Sequence, residues 1–385
     1  MRVNNNTYSL TTTLAGRIAQ AIVDADGWLP FDRFMHMALY TPGLGYYAND
    51  LRKLGLMPGA SGADDKSGNG GGSDFVTAPE LSPLFGKALA AQIAEAMAHT
   101  GTDEVWEFGA GSGALALQLL KALQARGQAV RRYVIVDVSS ALRARQQETL
   151  REFAQGYTQV EWVSELPASL QGVIVGNEVL DAMPVKLLAR VKGVWNERGV
   201  ALDGDAFAWA DKPTDLRPSV EVSGEHDYLT EIHPQGEAFM RTLADKLKRG
   251  AAFFIDYGFP EAEYYHPQRH MGTVMCHRAH LSDMNPLVDV GLKDITAHVN
   301  FTGMALAAQE QGQGLTVLGY TSQGRFLLNC GLAQMMAQAD LPTRANANKL
   351  LMEHEMGELF KVMGLCAGEP WGALGFASGD RTHAL

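Results

Sequence analysis

Cysteine is scarce in this chain. Three residues in 385, Cys276, Cys330 and Cys366, lie far apart with no CxxC pair. That pattern argues against a disulfide framework and fits a reducing compartment. Positive charge is also short. Lys and Arg number 32 against 43 Asp and Glu, a formal net charge of −11. Phosphate backbones are bound by a surplus of cations, so the balance argues against a general nucleic-acid binder and fits a cationic partner. Long apolar runs are missing as well, since none reaches the roughly 18 to 20 residues of a membrane-spanning helix. The start, MRVNNNTYSL, has neither the apolar stretch of a signal peptide nor an Arg-rich transit helix. The expectation is a soluble, cytoplasmic protein without nucleic-acid or membrane partners.

What is present is a large apolar fraction, 46 % of the residues, enough for a substantial core with one or two subdomains. Residues 1–100 read as a helical cap. Leu14, Ile18 and Ile22, then Phe31, Phe34 and Met35, form helical stripes around Gly27-Trp28-Leu29-Pro30. The Gly/Ser/Asp-rich stretch 55–74 reads as a mobile loop. Thr77-x-x-Glu80 fits a capping box, Ser82-Pro83 a second helix start, and Gly101 a C-terminal cap.

From 104 onward the texture is that of a parallel sheet. Strands are expected at 105–109, 132–138, 160–163, 172–179 and 251–258, with helical patterns between the first two and before the last. The fold class is therefore α/β, a Rossmann-like, mostly parallel doubly wound core over 101–320. Within it, 185–230 alternates with period two around Asp203-Gly204, which predicts an inserted antiparallel hairpin. Residues 321–385 read as a helical segment.

Residues 104–123, EVWEFGAGSGALALQLLKAL, read as strand, tight turn and helix. Glycines let backbone approach a ligand closely, and a helix start offers free N–H groups. Two ligands fit. Gly109-x-Gly111-x-x-Ala114 matches the dinucleotide fingerprint, and Gly109-x-Gly111-x-Gly113 matches that of S-adenosylmethionine (SAM) binders. Asp137, at the end of the second strand, supplies the acceptor that a ribose needs in either case.

The stretch GNEVLDAMPV (176–185) puts Asn177, Glu178 and Asp181 after a fully apolar strand, at the edge where open α/β sheets bind ligands. A dehydrogenase would place a Lys, Tyr or His there for proton transfer. Methyl transfer needs only an aligned lone pair and a proton acceptor, and carboxylates suit a cationic acceptor. The bland alternative is a helix cap at Asn177 with an early-turn acid at Asp181. His266, His270, Cys276, His277 and His280 tempt towards zinc, but Pro267 interrupts the spacing and no CxxC accompanies them. No metal is expected.

Seven segments in order, DFVTAPELSPLFG (74–86), EFGAGSGALA (107–116), GNEVLDAMPV (176–185), FFIDYG (253–258), DITAHVNFT (294–302), GYTSQGRFLLNCG (319–331) and MGELFKVM (356–363), resemble the MidA-type family of SAM-dependent methyltransferases. Mitochondrial members are complex I assembly factors that symmetrically dimethylate an arginine of a core subunit. The resemblance implies SAM as cofactor and a protein substrate, with a respiratory complex I subunit as one such target. It implies cofactor contacts from Glu107, Gly109, Gly111 and Gly113. It adds Thr77, Pro79 and Glu80 near the methionine end, and Asp137 at the ribose, where the family more often has Glu. Asn177, Glu178 and Asp181 match the motif beside the transferred methyl. Asn300 stands where the family usually has Asp. An NAD-dependent oxidoreductase and a non-catalytic SAM-binding assembly factor are the alternatives.

Overall fold

The structure is a computed structural model that describes residues 5–49, 77–137, 139–153, 156, 158–278, 281–310 and 314–385. The loop expected at 55–74 lies outside the described residues. Two compact units form, each discontinuous in sequence. One comprises Met1–Phe75, Asp181–Gly236 and Phe259–Asn300, the other Val76–Leu180, Glu237–Gly258 and Phe301–Leu385. These units cut across the segments 1–100, 101–320 and 321–385 expected from the sequence.

The second unit is built on a mixed sheet. Along it lie Thr316–Ser322, Phe360–Ala367, Leu247–Phe259, Leu170–Asn177, Glu104–Phe108, Arg132–Val136 and Gln159–Val163, in that order. The last five are mutually parallel. Chain order reverses between Glu104–Phe108 and Leu170–Asn177, the switch point at whose carboxyl edge open sheets hold ligands. The central strands are covered on both faces, and their apolar positions Val105, Tyr133, Val134, Ile135, Val173, Ile174 and Val175 are fully buried. Leu115, Leu119, Leu120 and Leu123 of the helix Ala114–Ala125 form one buried stripe against this core. Truncating Phe253, at the centre of the core, to Ala would cost about 3–5 kcal/mol.

Local signals at the helix Pro83–Thr100 act as expected. The Ser82 hydroxyl accepts from the Leu84 N–H at 3.3 Å, and Gly101 closes the helix at φ 61°. The capping box does not form. Thr77 caps Ala78–Leu81 without a side-chain bond, because the Glu80 carboxylate is taken by the Ser112 hydroxyl instead.

The C-terminal segment is not wholly helical. Gln323–Asn329, Leu332–Gln338 and Leu341–Lys349 are helices, but Phe360–Ala367 is a strand, antiparallel to both neighbours. Nearly all of it is buried, and a short apolar run hidden on both faces has no period that separates strand from helix.

In the first unit, Leu14, Ile18 and Ile22 of Asn5–Asp24 and Phe31, Phe34 and Met35 of Phe31–Tyr40 are all fully buried. The expected hairpin is larger than predicted. Lys186–Val191, Val194–Asp203, Ala206–Pro213 and Tyr228–Ile232 form an antiparallel sheet joined by Leu29–Pro30. Its turn sits at Asp203-Gly204 as expected, with Gly204 at φ 60°. Among the described residues no helix is long and apolar enough to cross a membrane.

Candidate functional site

The strand Glu104–Phe108 delivers Glu107 and the glycine loop to the carboxyl edge of the sheet. Gly109, Gly111 and Gly113 have φ of 63°, 52° and 84°, a region that costs L-residues roughly 1–2 kcal/mol each. A Cβ on Gly109 would press on Val179 Cγ2 at 3.2 Å, and one on Gly113 on Gln146 Cα at 3.3 Å. Gly113 heads the helix Ala114–Ala125 without a side-chain cap of its own, and the Ala114 N–H donates to Ser112 Oγ at 3.3 Å. A helix start leaves the following N–H groups without intrahelical partners, which suits an anionic group such as a carboxylate.

The loop is braced from below. The Ser112 hydroxyl donates to Glu80, and the Thr149 hydroxyl donates to the Ser112 carbonyl at 2.8 Å. Pro79 is tied in through its carbonyl, which accepts from Gln118 Nε2 at 2.7 Å, while Gln118 Oε1 accepts from the Gly86 N–H at 3.0 Å. Thr77 closes its turn by accepting from the Leu81 N–H at 3.0 Å.

Two acids flank this loop. Glu107 is 1 % exposed and accepts from the Tyr133 hydroxyl at 2.5 Å. Burial pushes its carboxyl up to about 7, the nearby Asp137 charge adds to the rise, and the Tyr133 hydrogen bond opposes it. Asp137 follows Arg132–Val136 and is also buried. Its Oδ1 accepts from the Ser139 N–H at 2.9 Å and its Oδ2 from Gln146 Nε2 at 2.8 Å.

Gln146 is the residue that sequence reasoning missed. Fully buried on the helix Ser140–Thr149, its Nε2 also reaches the Gly111 carbonyl at 3.1 Å, and its Oε1 accepts from Trp162 Nε1 at 3.0 Å. One carboxamide thus ties the glycine loop to the Asp137 carboxylate. A lone glutamine in a polar helix carries no sequence signal of this.

At the next strand end the arrangement changes. Asn177 closes Leu170–Asn177, and its Nδ2 donates to Glu178 Oε1 at 2.9 Å. Asn177 Oδ1 is buried with no hydrogen-bond partner. Glu178 has φ 54°, and its N–H donates to the Ile255 carbonyl at 2.9 Å. Asp256, 1 % exposed, secures the turn: its Oδ2 accepts from Val179 N at 3.1 Å and Leu180 N at 2.9 Å. Asp256 was also missed; it lies inside the strand Leu247–Phe259, not at its end. Asn177 is therefore not the helix cap of the bland alternative, since no helix follows it.

Asp181 belongs to the other unit. It is buried, its carbonyl accepts from the Ala297 N–H at 3.0 Å, and its charge helps to raise the titration of the buried Tyr47. Burial and Asp294 act on Tyr47 more strongly, and the Tyr47 hydroxyl donates to both Asp294 oxygens at 2.7 and 2.8 Å. Asn300, in that same unit, is buried and hydrogen-bonds the Tyr265 hydroxyl.

His266 Nδ1 accepts from the Gln268 N–H at 3.2 Å, and burial pushes the Cys276 thiol up to about 12. Among the described residues no group of three His, Cys, Asp or Glu side chains is gathered to hold a metal ion.

The donor set suits a cofactor with a carboxylate, a cation and a ribose: helix N–H groups, a buried acid at Glu107, and Asp137. Comparison with known proteins agrees. Residues 88–321 match the model of a family described as S-adenosyl-L-methionine-dependent methyltransferases. A Burkholderia thailandensis protein crystallised with S-adenosyl-homocysteine is 46 % identical over the full length of both chains, with a TM-score of 0.92. Protein arginine methyltransferase NDUFAF7 of Danio rerio is 25 % identical over 92 % of this chain and 86 % of its own. Its Drosophila melanogaster homologue is 28 % identical over 91 % and 84 %. Of the two ligands that the glycine loop allowed, SAM is therefore the one used, and the chain belongs to the S-adenosyl-L-methionine-dependent methyltransferase family.

Proposed function

We propose that this enzyme methylates an arginine of a protein substrate. The observation that carries the reading is the Asn177–Glu178 pair, a carboxylate beside a carboxamide whose buried Oδ1 has no partner. A guanidinium brings planar N–H donors that such a pair accepts. The names of the relatives, protein arginine methyltransferases, support the same acceptor.

On this reading Glu107, Gly109, Gly111, Gly113 and Asp137 hold SAM, with Thr77, Pro79 and Glu80 supporting the methionine end. SAM supplies an electrophilic methyl on a sulfonium. Glu178 and Asn177 Oδ1 accept the guanidinium N–H groups and turn one nitrogen towards that methyl. As the N–C bond forms and the S–C bond breaks, the sulfur keeps the electron pair and leaves as the neutral thioether. Guanidinium titrates above roughly pH 12, so its proton leaves during bond formation, to Glu178 or water. The Asn177–Glu178 turn is held by Asp256 and by the Ile255 carbonyl, so little reorganisation is needed.

Transfer of labelled methyl from SAM into a fractionated cell extract, followed by acid hydrolysis and amino-acid analysis, tests this. Label in symmetric dimethylarginine is expected, with a respiratory complex I subunit among the fractions to try. Label confined to other residues or to small molecules would overturn the arginine reading and leave the methyltransferase intact. Binding of SAM with no labelling of any fraction would favour the non-catalytic alternative.

A further inference from the structure

The antiparallel sheet of the first unit carries a cleft of about 860 Å3 that the methyl-transfer site does not use. Its lining includes Arg190, Lys192, Trp195, Arg217 and the loop Pro218–Glu225. Arg190 sits on Lys186–Val191, with register partners Trp195 on one side and Tyr228 on the other. Both are aromatic, and the guanidinium carbon lies 5.5 and 5.7 Å from their ring centres. Arg190 is 7 % exposed. Its Nη1 donates to the Val222 carbonyl at 2.7 Å and its Nε to the His226 carbonyl at 3.2 Å, while Nη2 is buried with no partner.

A guanidinium buried to this degree normally faces a carboxylate, because an uncompensated charge in low dielectric is costly. None of the ion pairs among the described residues includes Arg190. Carbonyl dipoles and ring faces offset part of its charge and leave one N–H pair unsatisfied. Lys192 and Arg217 add exposed positive charge at the rim, against the exposed Glu221 and Glu225.

We propose that this cleft binds a peptide through the carboxylate of an acidic residue, which docks on Arg190. The assignment of a protein substrate rests on the function proposed above; the carboxylate site does not. The other wall suits a peptide better than a small free acid. Trp195, Val220 and Val222 give apolar contact, and residues 214–227 form neither helix nor strand. That backbone is not committed to a helix or a sheet ladder, the form of wall along which an extended chain can lie. A small yielding of the loop brings the carboxylate onto the N–H groups of Nη2, forming a charge-assisted hydrogen bond where Nη1 and Nε are already engaged.

The test is calorimetric titration of the full-length protein with short arginine-free Ser/Gly peptides carrying alternating glutamates, with their glutamine counterparts, and with free glutarate. The glutamate peptide is expected to bind roughly ten- to a hundredfold more tightly than the glutamine peptide, as a charge-assisted hydrogen bond implies. Arg190→Met should abolish that difference. Since Arg190 also holds Val222 and His226, the exposed double variant Lys192→Ala with Arg217→Ala gives a second reading: it should keep the fold and weaken only the glutamate peptide. Equal binding of both peptides, or of neither, overturns the proposal; glutarate binding as tightly as the glutamate peptide overturns its peptide part. Because the peptides lack arginine, a failure of the arginine-methylation reading would leave these results untouched.

Discussion

The two strand ends that meet the candidate site are finished differently. At Asp137 the polar groups are tied down: Gln146 grips the carboxylate and the Gly111 carbonyl together, Ser139 holds the other oxygen, and Thr149 and Glu80 brace Ser112. At Asn177 a buried amide oxygen has no partner, and the next residue is a glutamate in left-handed backbone. A completed network is preorganised for a ligand of constant shape, as a cofactor is. A buried orphan acceptor costs about 1–3 kcal/mol until something fills it, which suits an end that waits for a second reactant. The contrast predicts that damage at the first end abolishes cofactor binding, and that damage at the second spares binding and stops transfer.

The largest expected effect is at the braced end. Gly111→Val puts a β-branched side chain at φ 52°, in the loop that Gln146 holds. Binding of S-adenosyl-homocysteine should fall below calorimetric detection while circular dichroism stays native. Retained affinity would remove this loop from the site.

At the open end, Glu178→Gln keeps the size and the bond to Asn177 and removes the charge. Cofactor affinity should be unchanged, and turnover on an arginine substrate should fall by about 10² to 10⁴-fold, the range of a lost general base. Asp181→Asn, in the other unit, asks the same question of the second carboxylate. Normal turnover in both variants would reduce these acids to structural residues.

How far these ends were legible in sequence follows from the range of the forces involved. The glycine loop and the five parallel strands announce themselves through residues a few positions apart: glycines where φ is positive, β-branched and aromatic clusters such as Val134-Ile135-Val136 and Val173-Ile174-Val175 in the strands. The hairpin turn at Asp203-Gly204 is local in the same way. Phe360–Ala367 was hidden because burial on both faces erases periodicity. Gln146 was hidden because its meaning depends on Gly111, Asp137 and Trp162, which only the folded sheet brings together. The capping box at Thr77-x-x-Glu80 misled for a related reason: the long-range hydroxyl of Ser112 takes the carboxylate that the local motif would have used.

Gln146→Leu sharpens the comparison. It keeps the volume and removes both donors and the acceptor, leaving the Gly111 carbonyl, the Asp137 carboxylate and Trp162 Nε1 each short of one partner. Losing a hydrogen bond to a charged group costs about 1.5–3 kcal/mol, so S-adenosyl-homocysteine affinity should drop about ten- to a hundredfold. If Gln146 positions Asp137 for the ribose, the variant should also lose discrimination against the 2′-deoxy analogue. A purely structural glutamine would weaken both ligands alike.

The smallest effect, about tenfold, concerns protons at the braced end. Glu107 is held at about 7 by burial and by the Asp137 charge, against an ordinary value of 4.5. Its neutral form therefore stabilises the ligand-free fold fully below pH 4.5, and that contribution is lost as pH rises through about 7, where the folded carboxyl ionises. A bound cofactor reverses the preference, because its sulfonium and ammonium charges favour the carboxylate. Binding should then release a proton below pH 7, and affinity should improve about tenfold from pH 6 to pH 8, the linkage expected of one group titrating near 7. Calorimetry at pH 6.5 in buffers of different ionisation enthalpy reads the released proton directly. Glu107→Gln should abolish both the release and the pH dependence; if the wild type shows neither, Glu107 does not face the cofactor's positive charge.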